Sequence, residues 1–253
     1  MPVDRNARMP RIHIKRGDGP ARVSVGSLTG SMAGTLIVDW AYTSWRRLAG
    51  MSFFKRNRAE LEAKGIDPDR VPPGQYVTER FPVLHAGTVP TIDLAAWRFG
   101  VKGLVAEEKE WTWDEFRAMP STSMTADIHC VTKWSKLDTT WEGVPVRHIW
   151  DQLQVDPAAT HVLLYAYHGF TANLPIEDFI RDDNLFAHTY EGEDLDLKHG
   201  YPLRLVVPHL YFWKSVKWVL GFNVLSADEP GFWERNGYHM YGDPFKEQRY
   251  WGS

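Results

Sequence analysis

Cysteine is almost absent: a single thiol, Cys130, stands in a chain of 253 residues. That scarcity excludes an internal disulfide, a four-cysteine iron-sulfur cluster and a two-thiol c-type haem site. It also fits a reducing compartment, so a cytoplasmic location is the expectation. Long apolar runs are lacking too. The longest, Thr35 to Tyr42 (TLIVDWAY), carries Asp39 and falls well short of the ~18 residues needed to span a bilayer, so no membrane span is expected. The twin arginines Arg46 and Arg47 are not followed by the apolar segment and small-residue cleavage site of an export signal. Nor does the main body hold a surplus of positive charge. Residues 1–50 carry eight Lys/Arg against three Asp/Glu, which leaves 21 against 29 for residues 51–253. An acidic body is a poor electrostatic match to nucleic acid.

Apolar side chains and rings are plentiful. Hydrophobic residues make up 43% of the chain, and Trp, Phe and Tyr number 12, 12 and 10, enough for a sizeable core and ring-walled pockets. The first 50 residues mix Gly, Ser, Arg and Pro without a sustained period of 2 or 3.6. They are expected to be disordered or an over-extended start, with the natural start at Met51. Residues 51–75 read as a short helix (SFFKRNRAELEAKG, stopping at Gly65) and a Pro-rich connector (IDPDRVPPGQY), leading into one domain over 76–253.

Within that domain, Thr91 to Val105 (TIDLAAWRFGVKGLV) alternates as a strand pair turning near Gly100, and Thr112 with Glu115 matches a capping box. VPVRHIWDQLQV puts Val146, Ile149, Trp150 and Leu153 on one helical face, and a short helix starts at Pro175. HVLLYAY, LRLVVPHL and VKWVLGFNVL are strand-like. The pattern predicts an α+β fold with mixed sheets and short helices.

Three stretches carry chemistry. Cys130 is followed by Lys133 and Lys136, whose cations would favour a thiolate if they point inward. A thiolate serves as a nucleophile or as a soft metal ligand. The first role needs a base such as His129, His148, His161 or His168, although nothing local matches a cysteine-hydrolase signature. His199 to Trp218 (HGYPLRLVVPHLYFWKSVKW) reads either as two strands about a turn at Pro208, with lysines facing water, or as an anion site. In the second case Arg204, Lys214, Ser215 and Lys217 converge on a phosphorylated ligand. Glu79 to Pro90 (ERFPVLHAGTVP) is a loop around His85, by itself uninformative.

Taken together, Phe81 with His85 and Pro90, then HCVTKW with WEGVPV, then YEGEDLDLKHGYPLRLVVP ending in WKSVKW, resemble the sulfite oxidase family of molybdopterin-dependent oxidoreductases. The resemblance runs from about Val71 to Ser253. It is nearest to the bacterial sulfite oxidase-like branch, which has no haem or dimerisation domain. It implies the family's molybdopterin-binding fold over 76–253, one molybdenum-molybdopterin cofactor per chain, and Cys130 as the metal's protein ligand. By the same resemblance Arg204, Lys214, Ser215 and Lys217 hold the pterin phosphate, and His85 and His199 bond the pterin.

It further implies oxygen-atom transfer to or from a small sulfur or nitrogen oxo substrate, with electrons exchanged with a separate electron-transfer protein. Trp134, Lys133 and Tyr211 are the expected substrate-side residues. Animal and plant members carry Arg and Asn where this chain has Val83 and Leu84, which weighs against sulfite, a dianion that wants paired cations. CVTKWS is instead similar to the cysteine segment of a bacterial protein-methionine-sulfoxide reductase subunit, an exported protein. The aromatic tail GYHMYGDPFKEQRYWGS is expected to pack on the domain surface. Two alternatives stay open: a cysteine-nucleophile hydrolase or transferase, and a non-catalytic module binding a phosphorylated ligand through Arg204, Lys214 and Lys217.

Overall fold

The computed structural model describes residues 57–253, so the expectations for residues 1–50, for a start at Met51 and for the first residues of the following helix lie outside the described residues. Residues 57–63 are helical, and Gly65 follows at φ +71°, the left-handed geometry of a helix stop. The connector then forms a short 3-10 turn, Pro68–Arg70, with the Asp67 side chain accepting from Asp69 N.

Eleven strands follow among the described residues. They are β1 (Tyr76–Val77), β2 (Arg98–Gly103), β3 (Lys109–Thr112), β4 (Thr122–His129), β5 (Trp134–Pro145) and β6 (His161–Ala166). The remainder are β7 (Thr171–Pro175), β8 (Leu185–Tyr190), β9 (Glu193–Asp194), β10 (Arg204–Val206) and β11 (Val219–Leu225). One sheet runs β1-β5-β8-β10, with β4 also on β5 and β9 on β8; the other runs β3-β2-β11-β6-β7. Each sheet contains one parallel pair, β1 with β5 and β2 with β11, so both are mixed. The helices are short: Trp113–Arg117, opened by the Thr112–Glu115 capping box, then Val146–Trp150, Ile176–Phe179 and Phe232–Arg235. The α+β prediction with mixed sheets and short helices therefore holds.

One local expectation does not. No turn forms at Gly100; β2 runs straight through it and pairs with β3 beyond a later turn. The glycine is there for close approach: a Cβ would lie 2.6 Å from the Tyr165 hydroxyl, which donates to Gly100 O.

Period-2 alternation divides the first sheet between two cores. Phe186, Leu203 and Leu205 face the second sheet, where Phe186 meets Phe99 (4.9 Å, edge-on) and lies parallel to Phe222. Leu185, Ala187 and Val206 face the other way, into a smaller cluster with Ile128, Cys130, Trp134, Trp141 and Tyr211. Burying rings of this size contributes about 1.5–3 kcal/mol each, and the cysteine loop is built on that second core.

Candidate active site

β4 delivers His129 and Cys130 to a turn that returns through Lys133 into β5. Cys130 N donates to Trp134 O (2.8 Å), Lys133 N donates to Cys130 O (3.0 Å), and Lys133 takes a positive φ to close the turn. Gln75, buried beside β1, adds a third hold by donating Nε2 to Cys130 O at 3.0 Å. The Cys130 side chain is 8% exposed, and its Sγ lies 3.1 Å from Thr132 Oγ1. Burial pushes the thiol up, while the Thr132 hydroxyl, the backbone N–H groups of Thr132 and Val131 and the charge of Arg249 pull it back.

The thiol faces a cavity of about 270 Å³ whose walls include Trp134, His85, His199, Arg204, Ser215 and Lys217. The HGYPLR segment explains how the cations arrive. Asp196 accepts from Lys198 N to start the 3-10 turn Leu197–His199, which Gly200 ends at φ +122°. A Cβ on Gly200 would stand 3.0 Å from Arg204 Cβ and 3.3 Å from Lys217 Cβ, so the missing side chain lets the two cationic residues pair across an antiparallel bridge.

Arg204 is 1% exposed and lies 4.2 Å over the Phe212 ring. It donates to His199 O (2.7 Å) and Ser215 O (2.9 Å), and has no carboxylate partner among the described residues. Burial pushes it down to about 9. Lys217 donates to Leu84 O (2.9 Å) and Lys198 O (3.0 Å), likewise without a carboxylate; burial, with Arg204 nearby, pushes it down to about 7. An unpaired buried cation costs several kcal/mol, so the fully buried Arg204, with the half-buried Lys217 beside it, makes this wall suited to an anion. Ser215 Oγ accepts from Val207 N and keeps its own proton to donate.

The His85 loop is tied to the same wall. His199 stacks on Phe81 (4.1 Å, 13°) and donates Nε2–H to Phe81 O at 3.2 Å, which leaves Nδ1 an acceptor; burial lowers its pKa. His85 itself is exposed at the rim, 6.0 Å from the Trp218 ring. Trp134, 3% exposed, has an indole N–H without a partner.

Four residues that the sequence brought into consideration fall outside the lining. Lys133 is exposed and does not line the cavity, and Lys136 is not in the wall either. Tyr211 is wholly buried behind the cysteine loop, stacked on Trp213. Lys214 is 1% exposed with its ammonium committed to Glu234 Oε1 (2.7 Å), Asn173 Oδ1 (2.7 Å), Asn173 O (3.0 Å) and Met240 O (2.6 Å). No donor is left for a ligand, because a buried ion pair satisfies it internally.

The sequence suggested no site role for Thr132, Trp218 or Tyr238, and used Phe81 only as part of a motif, yet all four are in the wall. Tyr238 lies in the aromatic tail, stacked on Trp233 (5.0 Å) and raised by burial with smaller contributions from Tyr250 and Cys130. Its place 108 residues beyond Cys130 gave no local signal. No histidine hydrogen-bonds the thiol among the described residues. His129 turns to Ser135 Oγ (2.9 Å) and is pushed down to about 4 by burial, and neither it nor His148, His161 or His168 is in the wall.

Residues 86–233 match the family described as oxidoreductase molybdopterin binding domain. The chain is 48% identical over 182 residues to the uncharacterised oxidoreductase YuiH of Bacillus subtilis, covering 72% of this chain and 92% of that one. It is 26% identical to the putative protein-methionine-sulfoxide reductase subunit YedZ1 of Azospira oryzae, over 70% of each chain. Identity to sulfite oxidase of Arabidopsis thaliana is 24%, over 66% of this chain and 52% of the plant protein. The sulfane dehydrogenase SoxCD of Paracoccus pantotrophus shares the fold, with TM-score 0.52 and 22% identity over 59% of this chain and 42% of that one.

Proposed function

The chain belongs to the oxidoreductases with a molybdopterin-binding domain, and from that premise we propose that it transfers one oxygen atom to or from a small sulfur or nitrogen oxo compound. One cofactor serves each chain, and the two electrons pass to or from a separate redox protein. The observation that carries this reading is one cavity holding both the chain's lone thiol and two cations without carboxylate partners, Arg204 and Lys217. A soft sulfur donor suits molybdenum, and fixed cations suit the phosphate of a pterin. Among the described residues no three His, Cys, Asp or Glu side chains gather into a metal site, so the protein's share at Cys130 is a single sulfur.

When bound, the cofactor supplies the two-electron oxygen-atom exchange. The chain's own residues bind and orient. Cys130 Sγ ligates, and the Thr132 hydroxyl donates to that sulfur. Arg204, Lys217 and Ser215 hold the phosphate, while His199 and His85 bond the pterin edges. On the substrate side Trp134 contributes its ring to the wall, its indole N–H being buried out of a ligand's reach, and Tyr238 adds a phenol. Lys133, Lys214 and Tyr211 have no part in this arrangement, because their side chains lie elsewhere. With no arginine or lysine beside Trp134 in the wall other than the phosphate pair, a neutral oxo compound fits better than a dianion.

Among the described residues no helix is long and apolar enough to cross a membrane, and the single-cysteine composition supports a reducing, cytoplasmic setting. Protein from a cofactor-competent host should hold close to one molybdenum per chain by elemental analysis, and Cys130→Ser should hold almost none. Metal-free wild-type protein from such a host would defeat the reading. The hydrolase alternative gains nothing from the geometry, since the thiol's hydrogen-bond partner is Thr132 and no histidine.

A further inference from the structure

The aromatic tail lies beyond the matched region, yet it is fastened to the loop that carries Cys130. Tyr238 and Tyr250 form an antiparallel bridge, which returns Arg249 across the domain. That side chain is 8% exposed. Its Nη1 donates to Val131 O at 2.7 Å, its Nη2 to Pro73 O at 3.3 Å, and its guanidinium lies 5.0 Å over the Tyr211 ring. The nearest carboxylate, Glu247 Oε1, stands 3.9 Å away on a side chain 46% exposed. Residues 73–75 also precede the matched region, and there Gln75 donates to Cys130 O. Two segments outside the matched region thus close on the loop bearing the sulfur.

A clamp alone needs no charge, because a neutral amide such as Gln75 suffices to hold a carbonyl. Arg249 is nine-tenths buried with only a distant carboxylate, a costly arrangement unless something nearby gains from the positive charge. The anionic sulfur of Cys130, one residue before the carbonyl that Arg249 grips, is the group that does. We propose that Arg249 is a positioning residue that fixes the Cys130 loop from the C-terminal tail and raises the reduction potential of the thiolate-bound metal. The inference rests on Cys130 being the molybdenum ligand. A positive charge beside a metal thiolate favours the reduced, more electron-rich state, and charge and hydrogen bonds around ligating sulfur are known levers on potential.

The test is a redox titration followed by the Mo(V) electron paramagnetic resonance signal, with metal content measured on the same samples. Arg249→Met should lose part of its molybdenum, and the loaded fraction should titrate at lower potential than wild type. Arg249→Lys should recover most of the shift, and Glu247→Gln, which removes the opposing charge, should move the potential upward. A purely structural clamp changes metal content but leaves the potential of loaded molecules alone, so unmoved potentials in the Met and Gln variants would overturn the inference. If Arg249→Met retains no metal, the Lys and Gln variants decide on the same criterion. Wild-type protein without molybdenum would instead defeat the reading of Cys130.

Discussion

Lys214 and Lys217 stand three residues apart in one segment, and the fold gives their ammonium groups opposite surroundings. Lys214 is sealed against Glu234, Asn173 and Met240, with the same Glu234 oxygen also accepting from Trp213 Nε1 at 2.8 Å. Lys217 and its cross-strand neighbour Arg204 have only carbonyl partners, on the wall of a cavity that also holds a thiol. A buried cation with an internal counter-charge pins structure, here fastening the helix Phe232–Arg235 to β7. A buried cation without one leaves its charge for something from outside. Net charge, spacing and residue type are alike for the two lysines, so the counter-charge is what separates scaffold from site.

The largest expected effect breaks the sealed pair. Glu234→Ala leaves Lys214 charged and unpaired, and should cost about 3–5 kcal/mol in urea denaturation, enough to threaten the fold. Arg204→Met removes an unpaired cation instead. Stability of the cofactor-free protein should change by no more than about 1–2 kcal/mol, since lost hydrogen bonds are offset by relief of burial. Cofactor retention should weaken roughly tenfold to a hundredfold, the worth of a charge-assisted bond of about 1.5–3 kcal/mol. Equal loss of stability in the two variants would erase the distinction.

The smallest effect is on pH dependence. Lys217 sits near 7 in the folded protein against an ordinary 10.5, so between those values the unfolded chain binds more protons and the cofactor-free protein gains stability as pH rises. Denaturation at pH 6.5 and 9.5 should show that gain in wild type and a smaller one in Lys217→Met. An anion in the cavity restores the charge, so cofactor retention should decline as pH rises above about 7.

Much of this was legible along the chain. Cys130, Arg204, Ser215, Lys217 and the two histidines lie in stretches whose residue types announce a soft ligand, a phosphate site and ring donors, and all six line one cavity. Lys214 was misleading because a lysine in an anion-friendly segment looks the same whether or not a glutamate twenty residues later folds onto it. Tyr211 was misleading because one residue of offset in a turn moves a ring from the cavity to the back of the cysteine loop. The turn placed at Gly100 failed for a related reason: Tyr165, 65 residues on, supplies the close contact that requires glycine there.

The sequence by itself determined the chemistry available: one sulfur, a cation-rich HGYPLR–KSVKW segment, short helices and mixed strands, set by composition, spacing and local capping. Only the tertiary structure decided which cations stay unpaired and which groups stand behind the sulfur. Glu234 reaches Lys214 from 20 residues away, and Arg249 reaches Val131 from 118. Counter-charge is a property of neighbours in space, and burial strengthens it where water cannot screen it, so no stretch read alone could have assigned it.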